Sequence, residues 1–138
     1  MKAKIFVGPR DSGKTRVAKM IADHVGIDKT FIIYGRRPIF EDSFIYHGMN
    51  TKTKLIIFDD VPLDFDYKEL FKTMTHIDED GDMLFRIKCN TKGEWVTEHY
   101  IPQIIITTTK LDSKWYELGD SFRRRFDVID FPLCKTNY

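Results

Sequence analysis

Three stretches of this chain run almost wholly apolar: Ile5-Phe6-Val7 within 3–7, Leu55-Ile56-Ile57-Phe58, and Ile104-Ile105-Ile106. Unbroken apolar runs of this length belong to parallel strands buried on both faces. Phe31-Ile32-Ile33-Tyr34 reads as a further short buried strand, ended by Arg36-Arg37-Pro38, and Val128-Ile129 lies in a closing strand. Val17, Met20, Ile21 and Val25 recur at helical spacing, with Gly26 where a C-terminal cap belongs. Phe40, Phe44, Ile45 and Tyr46 follow neither period and read as a short helix or an irregular segment. Asp66 and Glu69 form a capping box for a helix whose apolar face is Tyr67, Leu70, Phe71 and Met74. From Met83 the period changes to two. Met83, Phe85, Ile87 and Cys89 share one face, and Leu84, Arg86 and Lys88 the other. Asn90-Thr91-Lys92-Gly93 is then a turn, and the run from Trp95 to Tyr100 returns as the second arm of a β-hairpin. Asp112 caps a short segment, Ser113 to Leu118, that Gly119 stops.

The residues at the ends of the apolar runs carry chemistry. The first run leads into Gly8-Pro9-Arg10-Asp11-Ser12-Gly13-Lys14-Thr15, followed by Arg16 and the helical pattern. This fits the G-x-x-x-x-G-K-[ST] phosphate-binding pattern, in the strand-to-helix setting that aims backbone N–H groups at phosphates. Gly8 and Gly13 allow backbone conformations that a Cβ penalises. Lys14 brings an ammonium to the β- and γ-phosphates of a nucleoside triphosphate, and the Thr15 hydroxyl is a ligand for Mg²⁺. The Leu55 run ends in Asp59-Asp60, where ligands bind in open α/β sheets. Asp59 is expected to hold Mg²⁺ and Asp60 to polarise an attacking water. The Ile104 run ends in Thr107-Thr108-Thr109, of which Thr108 and Thr109 are placed to sense the γ-phosphate. Arg123-Arg124-Arg125 precedes the closing strand; the planar guanidinium suits a phosphate undergoing transfer, although a solvated or nucleic-acid-facing basic run fits the same pattern. Arg86, Lys88 and Lys92 give the hairpin a basic face and tip suited to a nucleic-acid backbone, and an ordinary hairpin with solubilising charges fits equally.

Composition narrows this picture a little. With 138 residues and 42% hydrophobic content the chain supports one domain, residues 1–138, and its net charge of +1 gives no global attraction to nucleic acid. Cys89 and Cys134 have no CxxC spacing and read as reduced thiols of a cytoplasmic protein. No apolar run approaches the ~20 residues of a membrane span, and Met1 leads straight into the first strand without a targeting peptide. Asp78-Glu79-Asp80-Gly81-Asp82 has its glycine too early for a calcium loop and reads as a solvated turn.

Taken together, the Gly8–Thr15 motif, the apolar run ending in Asp59-Asp60, the basic hairpin, Ile-Ile-Ile-Thr-Thr and Arg124-Arg125-Phe126 resemble a superfamily 3 helicase of the AAA+ class. The closer likeness is to the helicase domain of replication initiator (Rep) proteins of circoviruses and related small circular single-stranded DNA replicons. It covers nearly the whole chain and is most specific at 55–60, 88–93 and 104–109 with Trp115-Tyr116. The resemblance implies an ATP-driven, Mg²⁺-dependent homo-oligomeric ring on single-stranded DNA or RNA, its hairpin at Lys92 lining the pore. Arg124 and Arg125 become arginine-finger candidates, Arg125 preferred, and a eukaryotic viral origin would put the protein in the host nucleus. The family's sensor position usually holds Asn where this chain has Thr109. The Rep endonuclease domain has no counterpart motif, so the chain is expected to be an isolated helicase domain or a stand-alone relative.

The expected fold is an α/β P-loop NTPase. Its central five-stranded parallel sheet, flanked by helices, runs in the order Phe31, Leu55, Ile104, Ala3, Val128, with the hairpin as an insertion. A nucleoside or nucleotide kinase and a slow ATP-switched interaction module are the competing readings. Adjacent acids followed by a threonine-rich strand favour water as the acceptor over a kinase's substrate, and leave the slowly hydrolysing switch open.

Overall fold

The computed structural model describes residues 3–34, 52–67, 75–77, 83–85, 87–88, 95–96 and 103–132. In chain order these contain β1 (Ala3–Val7), α1 (Lys14–Val25), a 3₁₀ turn (Ile27–Lys29), β2 (Thr30–Tyr34) and β3 (Leu55–Asp59). Four short strands follow, β4 (Thr75–Ile77), β5 (Met83–Phe85), β6 (Ile87–Lys88) and β7 (Trp95–Val96). The described part closes with β8 (Gln103–Thr108), α2 (Ser113–Tyr116), α3 (Asp120–Arg123) and β9 (Phe126–Asp130). A five-stranded sheet runs in the order β2-β3-β8-β1-β9, and every pairing in it is parallel. This is the order expected from the sequence.

The apolar runs explain which strands are inside. Leu55, Ile56, Ile57 and Phe58 are all buried, as are Ile104, Ile105 and Ile106. Pleating sends alternate residues to opposite faces. Ile5, Ile56, Phe58, Ile104 and Ile106 therefore enter one core layer, and Phe6, Leu55, Ile57 and Ile105 the other. The edge strands show a different pattern: Ile32 and Tyr34 of β2, and Val128 and Ile129 of β9, are exposed.

On one face α1 seals the sheet. Ala18 and Ala22, one turn apart, are its buried contacts, with Val17, Ile21 and Val25 packed alongside. Small side chains at the contact let the helix approach the apolar strands closely. Met20, expected on the buried stripe, is 59% exposed. It lies about 200° around the helix from Ala18, the side away from the sheet. Gly26, at φ 117, ends α1 and donates its amide to the Ala22 carbonyl at 2.8 Å.

The opposite face carries an aromatic layer. Tyr67 meets Phe65, Trp115 and Phe126 edge to face at ring separations of 5.0, 5.4 and 5.9 Å, an arrangement that adds to simple burial. Burial, with the Asp112 charge adding to it, pushes the Tyr67 phenol well above its ordinary value. Asp112 caps α2 as expected, accepting from the Lys114 and Trp115 amides at 3.1 and 3.4 Å. The helix is four residues long rather than six, and α3 follows after Gly119 as an element the sequence reading did not anticipate.

Two antiparallel pairs stand apart from the main sheet: β4 with β5 (Thr75↔Phe85) and β6 with β7 (Lys88↔Trp95). The period-two run after Met83 is thus divided between two partners, and β4 was not foreseen. The turn at 90–93, the acidic run at 78–82, the helical face beyond Tyr67 and the aromatic stretch at 40–46 all lie outside the described residues. Among the described residues, no helix is long and apolar enough to cross a membrane.

Candidate active site

β1 delivers the chain into a loop whose first residue is boxed in. The Gly8 amide donates to the Thr108 carbonyl at 3.2 Å, and a Cβ at Gly8 would stand 2.3 Å from the Phe131 carbonyl oxygen. No side chain fits there. Asp11 (φ 62) and Gly13 (φ 93) take the left-handed conformation, turning the chain sharply before α1 begins at Lys14. Glycine adopts that conformation freely and aspartate is among the residues that tolerate it. The first turn of α1 holds no acidic residue, so its free N–H groups and positive dipole end favour an anion.

Lys14 is 9% exposed, and its ammonium donates to the Gly8 carbonyl and, at 3.1 Å, to the Pro9 carbonyl. Burial lowers its pKa; Asp60 and Asp59 oppose that shift, and the Arg10 charge adds to it. Asp59, at the end of β3, accepts two hydroxyl hydrogen bonds on the same oxygen: Thr15 Oγ1 and Thr107 Oγ1 each lie 2.9 Å from Oδ1. Asp60 follows at φ 56, and its amide donates to Thr107 Oγ1 at 2.8 Å. Left-handed conformations at non-glycine residues concentrate at functional sites.

These groups line a cavity of about 570 Å³, together with Arg10, Asp11, Ser12, Gly13, Arg16 and Thr109. Ser12 Oγ is buried and makes no hydrogen bond. The structure therefore brings Lys14, Thr15, Asp59, Asp60 and Thr109 to one place, with Gly8 and Pro9 beneath them. It does not bring Thr108 there. The Thr108 hydroxyl turns to the Val61 and Lys110 carbonyls at 3.3 and 3.4 Å, on the opposite face of β8. Thr107, which sequence reasoning passed over, takes its place. The signal was present: Ile105 faces α1, so Thr107, two residues on, faces the same way.

The arginines lie at the opposite, amino end of the strands, before β9. The Arg125 carbonyl accepts from Ala3 at 3.1 Å, and β9 pairs with β1 from Ala3↔Phe126 up to Val7↔Asp130. Four register steps, roughly 13 Å of strand, separate them from the loop. Arg125 sits over the Phe122 ring at 5.6 Å, Arg124 is exposed, and Arg123 bonds Asp120 at 2.6 Å. Lys88 stands opposite Trp95 in the β6–β7 pair, while Arg86 and Lys92 lie outside the described residues.

No protein-family model matches the chain, and no curated protein sequence does. Solved structures do. The JCV helicase, crystallised with a bound acetamide, superposes with a TM-score of 0.66 and 20% identity over 99% of this chain and 37% of that one. The apo C-terminal region of NrS-1 gives 0.65 and 17% over 99% and 31%. The chain shares its fold with these two structures. The chain spans about a third of the length of each of these structures. The sheet puts the loop, both acids and Thr107 at the carboxyl ends of adjacent strands, where α/β sheets bind ligands.

Among the described residues no three acids, histidines or cysteines gather as a self-sufficient cage. Two adjacent carboxylates with a hydroxyl beside an anion-binding loop instead fit a hard cation that keeps waters and shares its shell with phosphates. The Thr15 proton is engaged by Asp59, which leaves the hydroxyl lone pairs available to such an ion.

Proposed function

We propose that this chain is the ATP-hydrolysing core of a superfamily 3 helicase, akin to the helicase domain of circovirus-type Rep proteins. Its place would be in the replication of a small virus or plasmid-type replicon, acting on single-stranded DNA or RNA as a homo-oligomeric ring. The observation that carries this reading is the 2.9 Å bond between Thr15 and Asp59, which ties the first turn of α1 to the end of β3 beside Lys14 and Asp60.

Each residue then has a role. The amides of the 8–13 loop and Lys14 seat the β- and γ-phosphates, Lys14 exchanging its carbonyl partners for phosphate oxygens. Thr15 and Asp59 would hold Mg²⁺, which when bound would supply charge neutralisation to the transferred phosphoryl group. Asp60 orients and deprotonates the attacking water. Thr109 reaches the γ-phosphate from β8. Arg124 and Arg125 stand at the amino end of the strands, away from the loop of their own protomer, so they act on a neighbour's nucleotide. Lys88, with Arg86 and Lys92, contacts the nucleic-acid strand.

The test is the rate of phosphate release from ATP with and without single-stranded DNA, across a series of protein concentrations. DNA stimulation and a specific activity that climbs with concentration are expected. Hydrolysis indifferent to both DNA and concentration would overturn the motor reading, and phosphoryl transfer to a nucleoside would replace it with a kinase.

A further inference from the structure

We infer that Thr107 is a positioning residue that locks the two acids of the site into one unit. Its hydroxyl is used at both ends: the oxygen accepts from the Asp60 amide at 2.8 Å, and the proton goes to Asp59 Oδ1 at 2.9 Å. The side chain is 1% exposed, so water does not substitute for either partner. Its carbonyl accepts from Val61 at 2.9 Å, so the turn after β3 is held to β8 on both sides of Asp60.

Two things follow from that geometry. Asp60 keeps a left-handed backbone, φ 56, that costs a non-glycine residue energy unless its surroundings impose it. The Thr107 bond to its amide is part of what imposes it. Asp59 Oδ1 takes donors from Thr15 and Thr107 together, which fixes the carboxylate plane and leaves its other oxygen for a ligand. One hydroxyl thus sets the orientation of the acid that would hold the cation and the aim of the acid that would face water. The inference rests on the hydrolytic reading for its catalytic consequence, but the lock itself does not depend on nucleotide.

The neighbouring threonines serve as the internal comparison. Thr108 is equally buried, yet its hydroxyl meets only backbone carbonyls at 3.3 and 3.4 Å and touches neither acid. Burial of a threonine at the end of β8 is therefore not what ties the acids. The hydroxyl of Thr107 is.

The experiment compares Thr107→Val, which keeps the shape and removes the hydroxyl, with Thr107→Ser, which keeps the hydroxyl. In the nucleotide-free chain, hydrogen exchange at the Asp60 amide should accelerate at least about tenfold in the valine variant, the loss of one protecting bond, and return toward wild type with serine. In steady state the valine variant should lose on the order of 10–100-fold in kcat and require more Mg²⁺, as loss of a group orienting metal ligands does. KM for ATP should move much less, and serine should rescue. Unchanged Asp60 exchange in a folded Thr107→Val protein would overturn the lock. A wild-type chain that hydrolyses no ATP would sink the proposed function instead, and the exchange measurement would still decide the lock. Accelerated exchange with unaltered kcat and Mg²⁺ requirement would overturn the positioning role.

Discussion

The two ends of the central sheet are built on different principles. At the carboxyl end of the strands the functional groups hold one another: Thr15 and Thr107 bond Asp59, Thr107 bonds Asp60, and Lys14 closes on the loop. At the amino end, the contacts of the arginines before β9 include near neighbours in the chain, Asp120 for Arg123 and the Phe122 ring for Arg125. One end is a closed constellation whose parts fix each other's positions. The other presents a run of cations held to neighbours in the same short segment, with Arg124 exposed. A site that must be accurate before its ligand arrives calls for the first construction, and a group that must reach another molecule calls for the second.

The sharpest way to break this contrast is Arg125→Ala. If the arginine end completes a neighbour's site, turnover should fall by about 10³-fold or more while nucleotide affinity is kept. Mixing this variant with Lys14→Ala should then restore part of the activity, because some boundaries would pair an intact loop with an intact arginine. No recovery on mixing, with both proteins folded and assembled, argues against action in trans.

A middle-sized effect separates the ends by stability. Gly8→Ala places a methyl against the Phe131 carbonyl, an overpacked position that should cost about 1–3 kcal/mol in chemical denaturation. Arg124→Ala, at an exposed position of the amino end, should stay within about 0.5 kcal/mol. Equal losses at the two positions would contradict the contrast.

The smallest effect is a pH dependence. Burial lowers the Lys14 pKa below its ordinary 10.5, so the unfolded chain binds this proton more tightly than the folded one. Folding stability from this group therefore rises with pH between the folded and unfolded pKa values, and the protonated form is the less favourable one in the fold. Lys14→Met should flatten the dependence of Tm on pH in the window below 10.5. A profile identical to wild type would mean that the ammonium is better solvated than its surroundings indicate.

Sequence reasoning reached the sheet because its signal is strong. Runs such as Leu55–Phe58 suit only strands covered on both faces, and the resemblance supplied their order. It reached Lys14, Thr15, Asp59 and Asp60 because fixed spacing and strand ends determine where those groups stand. It failed at Thr108, where three identical residues hide which one faces the acids, and only the pleat, counted from Ile105, separates them. Met20 was misjudged because hydrophobicity at helical spacing does not say which side of the stripe meets the sheet, and the alanines that do meet it carry little signal. β4 and α3 were missed because a three-residue strand and a four-residue helix leave almost no period to detect.

The packing of Phe131 against Gly8 has one more consequence. Phe131 donates its amide to the Val7 carbonyl at 2.6 Å, sets its carbonyl against Gly8, and meets the Phe6 ring at 5.0 Å with a 47° tilt. The exit from β9 is thus in mechanical series with the floor of the loop. A displacement of Phe131 would therefore be felt at the Gly8–Thr15 loop, and a ligand that stiffened the loop would stiffen the exit from β9 in return.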